Sequence, residues 1–145
     1  MQHINLHSSG DLILKGLHDS SLGSMAIDPG GNLILTFLNQ VDPGTRIEFK
    51  IDTSSRFALW CVGTIAPSII ACASLCEGDN AAQWLSERLG NEPTNRMFDK
   101  GAWIYERSWV LLFETSVGDA FLVSASGEFR SLVQVFVDGA EMAWT

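Results

Sequence analysis

Three histidines, three cysteines and seventeen carboxylates are the reactive groups of this 145-residue chain, and their spacing decides what chemistry is open to them. His18-Asp19 is a metal-binding dipeptide in some all-helical domains, where further His and Asp side chains complete the shell. Here only His3 and His7 remain, both near one end of the sequence, whereas a closed zinc site wants four nitrogen or sulfur ligands. The pair is therefore expected in a turn, with Asp19 accepting from nearby backbone N–H groups. Cys72 and Cys76 are four apart, about 13 Å on a strand, which is too far to share a metal. With Ile70, Ala71 and Ala73 around them they read as small core residues. Nothing flanking Cys61, Cys72 or Cys76 resembles a nucleophile site. No phosphate-cradling glycine pattern, nucleophile elbow or His-Glu-x-x-His helix is present. So many carboxylates make chance pairs easy, and spacing alone defines no acid/base dyad. The expectation is a protein without catalytic residues, metal or cofactor.

Recognition has better material. In GAWIYERSWVLLFE, strand alternation puts Trp103, Tyr105, Arg107 and Trp109 on one face and Ile104, Glu106, Ser108 and Val110 on the other. Trp, Tyr and Arg dominate binding hot spots. The competing reading makes Trp103 and Trp109 core aromatics, with Arg107 snorkelling past them. The net charge is −8, with 17 acids against 9 bases. Split after Cys76, the first part has six acids and four bases, and the rest has eleven acids and five bases, so the C-terminal part is the more negative. That charge repels nucleic-acid phosphates and steers a basic partner. The carboxylates Glu92, Asp99, Glu106 and Glu114 are expected to pair with Lys and Arg of such a partner, with Trp103 or Tyr105 anchoring the centre.

Something must hold those side chains, and the chain reads as one β-rich α+β domain: an antiparallel sheet or sandwich of short strands with one packed helix. An apolar run from Leu12 to Leu17 opens it. A hairpin follows, Leu22–Asp28 and Leu33–Leu38, around Pro29-Gly30-Gly31-Asn32, whose glycines are free to take positive φ. From Thr45 to Asp52, Ile47, Phe49 and Ile51 alternate with Arg46, Glu48 and Lys50, the pattern of a half-buried strand. Asp79 to Leu89 predicts a helix, with Asp79 as N-cap, Ala81, Leu85 and Leu89 on one stripe and Gly90 ending it. Asn91 to Lys100 is the expected long loop, and strands 103–114, 120–125 and 129–137 form a C-terminal meander.

No charge interrupts Phe57 to Cys76, about the length of a membrane span. Gly63, Pro67 and the lack of flanking basic clusters favour two buried strands separated at Thr64–Pro67 instead. The odd cysteine count, and the absence of a charged and then apolar leader in MQHINLHSSGDL, point to a reducing cytoplasm.

From Leu17 to Phe37, LHDSSLGSMAIDPGGNLILTF, a Leu-His-Asp start, a strand ending in Asp, a glycine turn and a second strand resemble the opening of small bacterial immunity proteins that neutralise toxins. The resemblance covers about a seventh of the chain, and its motif is structural. It implies a compact, acidic, non-catalytic protein that covers the active site of a basic toxin such as a nuclease. Two other classes compete: a small-ligand protein or enzyme with a pocket inside the apolar sheet, and an oligomeric module using a strand edge such as Phe129 to Val137.

Overall fold

The computed structural model describes residues 3–54, 57–62, 70–77, 81–89, 95–98, 108–115 and 119–145. Thirteen strands among them form two sheets. The first contains β1 (His3–Leu6), β2 (Asp11–Ile13), β6 (Phe57–Val62), β7 (Ile70–Glu77), β8 (Asn95–Phe98), β9 (Ser108–Thr115), β10 (Ala120–Ser126) and β13 (Ala143–Trp144). Its order is β13-β1-β2-β7-β9-β10-β6-β8. The second contains β3 (Ser20–Ile27), β4 (Leu33–Asn39), β5 (Arg46–Ile51), β11 (Val133–Val137) and β12 (Ala140–Glu141), ordered β12-β11-β5-β4-β3. Neighbours are antiparallel except β1 and β13, which join residues from opposite ends of the chain in parallel.

The hairpin and the alternating strand form as the residue pattern dictates. β3 pairs with β4 from Ser20↔Asn39 to Ile27↔Leu33. In the turn between them Gly31 takes φ 84°, and Asp28 Oδ1 accepts from the Asn32 N–H at 2.9 Å. In β5, Ile47, Phe49 and Ile51 are fully buried and face the first sheet. The uncharged run supplies β6 and β7, which are not neighbours: β9 and β10 lie between them. Among the described residues, no helix is long and apolar enough to cross a membrane.

Between the sheets Phe37, Phe49, Phe113 and Phe121 meet with ring centroids 4.8 to 6.2 Å apart. Trp109 is buried in the same core, its ring 5.1 Å from Phe129, which in turn meets Trp144 at 4.9 Å. Trp109 is thus a core aromatic. The outer face of the first sheet carries a second apolar cluster: Ala58, Cys76, Val110, Leu112, Ala120 and Leu122, with Leu85 of helix α1 (Ala81–Leu89). Burial on both faces explains why β9 and β10 read as continuous apolar runs.

Several expectations need correction. Two helical segments are described where one was expected. The second, α2 (Phe129–Leu132), occupies the start of the expected strand 129–137 and carries the chain from β10 in the first sheet to β11 in the second, so the C-terminal strands are not one meander. Nor is β11 an open edge. It lies between β5 and β12, the Val135 carbonyl accepts from Met142 N at 2.8 Å, and the Val133 carbonyl accepts from the Trp144 indole at 3.1 Å. The apolar run at 12–17 is a three-residue strand followed by turns. Cys76 is buried as expected, but Cys72 is exposed. Of the helix signals, Leu85 is buried, while Asp79 and Gly90 lie outside the described residues; within the expected loop 91–100, Asn95–Phe98 instead form β8, paired with β6, and the other residues lie outside the described ones.

Candidate functional site

On the outer face of the first sheet, three strands bring polar groups around one guanidinium carried by α1. Arg88, in the last turn of α1, donates through Nε to Glu114 Oε1 of β9 at 3.2 Å and through Nη2 to Ser74 Oγ of β7 at 2.9 Å. Asp11 Oδ1 of β2 lies 3.9 Å from Nη2 and accepts from the Ser74 hydroxyl at 3.5 Å. The guanidinium also lies 5.2 Å from the ring centroid of Trp84. β7 alternation makes the arrangement possible: Ala73 and Leu75 join the core between the sheets, while Ser74 takes the opposite face. The side chains of Arg88 and Glu114 are only about one-third exposed, 31% and 30%, so this pairing is less screened than a fully exposed one.

Cys72 borders the cluster, with its Sγ 3.7 Å from Glu114 Oε1. Burial pushes the thiol pKa up, the Glu114 charge pushes it further, and Arg88 opposes them only in part. At neutral pH the sulfur therefore keeps its proton, which suits an S–H donor and not a nucleophile. Cys72, Asp11, Ile13 and His18 share the wall of a shallow 290 Å³ depression. His18 Nδ1 itself lies 3.2 Å from Asp19 Oδ2.

A larger depression of 780 Å³ opens at one end of the sandwich, lined by His3, Lys15, His18, Asp19, Asp42 and Asp138 among others. Its acids serve the turns that carry them. Asp138 and Gly139, at φ 50° and 84°, form the two-residue connection between β11 and β12, and Asp138 Oδ1 accepts from Arg46 N at 2.8 Å. Asp42 accepts from Thr45 Oγ1 at 2.9 Å and from Gly44 N. Asn39 Oδ1 accepts from the backbone of Val41 and Asp42, while its amide donates to Gly16 and His18 carbonyls. Asp19 sits in the expected turn, but its backbone does the fastening: its N–H donates to the Ile70 carbonyl and its carbonyl accepts from Gln40. Among the described residues, no group of three or more His, Cys, Asp or Glu side chains is placed to hold a metal ion.

Of the residues expected to face a partner, Glu114 is described, and it is engaged with Arg88. Glu92, Asp99, Trp103, Tyr105, Glu106 and Arg107 lie outside the described residues. The Arg88 cluster has no signature in the residue order, because Asp11, Ser74, Arg88 and Glu114 come from four elements that only the strand order β2-β7-β9 and the seat of α1 bring together.

The class these observations define is a two-sheet β-sandwich with a helix on the outer face of its larger sheet. No protein-family model, no curated protein and no solved structure matches the chain.

Proposed function

We propose that this chain is a non-catalytic acidic binding protein of the bacterial cytoplasm, a single-domain immunity protein that neutralises a basic toxin, such as a nuclease, by covering its active site. The observation that carries the reading is the balance of charge. Arg46, Lys50, Arg88 and Arg130 each lie between 2.8 and 3.9 Å from a carboxylate of the same chain. These cations are thus engaged internally, and the excess behind the net −8 is left to act outward. Such a surface attracts a cationic groove and repels nucleic acid. The resemblance of residues 17–37 to immunity proteins points the same way.

The contact surface is assigned to the segment Glu92, Asp99, Trp103, Tyr105, Glu106 and Arg107, together with Glu114 at the end of β9, which would exchange Arg88 for a partner cation. Carboxylates there pair with partner Lys and Arg, while Trp103 or Tyr105 fills the centre. Co-expression with the product of the adjacent gene in the source genome tests this. The expected result is a toxic cationic protein that this chain binds and renders harmless. A metabolic neighbour, or toxicity unchanged by this chain, overturns the proposal.

A further inference from the structure

At nine residues α1 is shorter than a helix that is stable alone in water, so its tertiary contacts must hold it. The described contacts are of two kinds. Leu85, with Trp84 beside it, covers the apolar patch of Ala58, Cys76, Val110, Leu112, Ala120 and Leu122. Arg88 reaches across to Glu114, Ser74 and Asp11. Among the described residues, none from α1 belongs to the core between the sheets, and the β7-β9-β10-β6 ladder closes without it. Removing the helix from its seat would therefore leave the sandwich whole.

We propose that α1 is a strap latched by Arg88, which opens without unfolding the sandwich and so uncovers Cys76 and the apolar patch beneath Leu85. The latch is polar and partly exposed, so salt weakens it, whereas the Leu85 contact survives salt. Cys76 lies under the strap, 8% exposed, and reports each opening as a thiol made accessible.

The test uses the full chain carrying Cys61→Ser and Cys72→Ser, so that Cys76 is the sole thiol, and follows its reaction with an aromatic disulfide reagent as urea is raised. Opening of the strap gives a rate nearly flat in low urea, well above the rate that global unfolding permits. Arg88→Ala, or high salt in the parent, raises that rate roughly fivefold, the scale of a partly exposed ion pair. Amides of β4 and β5 should keep their hydrogen-exchange protection in Arg88→Ala. The proposal is overturned if Cys76 reacts only along the steep urea dependence of global unfolding. It is equally overturned if the rate ignores both Arg88 and salt, or already equals that of an unprotected thiol.

Discussion

Replacing Phe113 with alanine should remove the contact that does most to hold the two sheets face to face. Phe113 is fully buried in β9 and directly opposite Phe121 of β10. Its ring centroid lies 4.8 Å from that of Phe121, 5.1 Å from Phe37 and 5.3 Å from Phe49, the last two on the opposing sheet. Truncation loses the transfer free energy of the ring and leaves a cavity that three aromatic neighbours in a two-sided sheet cannot close. The expected loss is about 3–5 kcal/mol, a large part of the roughly 5–15 kcal/mol that holds a domain of this size. At about 2–4 °C per kcal/mol, the melting temperature should fall by roughly 10 °C. Urea unfolding followed by circular dichroism measures the loss directly. Ile27→Ala is the comparison, because Ile27 is 63% exposed and its truncation should change stability by less than about 0.5 kcal/mol. A Phe113→Ala loss below about 1.5 kcal/mol, with an unchanged urea slope, would refute the aromatic core as the tie between the sheets.

Gly139→Ala tests the β11–β12 turn: a Cβ there meets nothing within 4 Å, so the penalty is purely one of φ 84°, about 1–2 kcal/mol. A neutral outcome in the same urea assay contradicts the turn geometry. At the other hairpin, the backbone hydrogen bond from Asn32 is the main cause holding Asp28 below the ordinary carboxylate value of 3.8. A depressed carboxylate gives stability that is present above its unfolded value and lost as pH falls through the folded one. The stability difference between parent and Asp28→Ala should therefore shrink as pH drops below 3.8, and carboxyl NMR should place the Asp28 midpoint beneath that value; a midpoint above it contradicts the turn. Cys72, raised by burial and Glu114, should alkylate with a pH midpoint above 9.0, read by mass spectrometry, and a lower midpoint contradicts its placement beside Glu114.

The local elements were legible because their signals are local. Ile47, Phe49 and Ile51 alternate with charged residues, and Pro29-Gly30-Gly31-Asn32 announces its own turn. Phe129, Leu132 and Val133 carried a helical spacing ahead of the alternation of Val133, Val135 and Val137, a change of period hidden inside one apolar run. β1 showed only Ile4 and Leu6, too short a pattern to stand out, and one of its two partner strands, β13, lies at the far end of the chain, where Thr145 N donates to the Ile4 carbonyl at 3.1 Å. Cys72 looked like a core residue because its neighbours in sequence are apolar, yet its neighbours in space are Glu114 and Arg88. Strand order is set by contacts between distant residues, and the Arg88 cluster depends on that order, so neither was written in any one segment.

The account turns on negative charge presented to a cationic protein, and the association rate across ionic strength measures that charge at work. If the adjacent gene encodes the cationic partner proposed above, stopped-flow mixing with that protein should show the rate constant falling by roughly tenfold or more from low to high salt, while dissociation changes little. A rate constant that stays level over the same range would contradict the account.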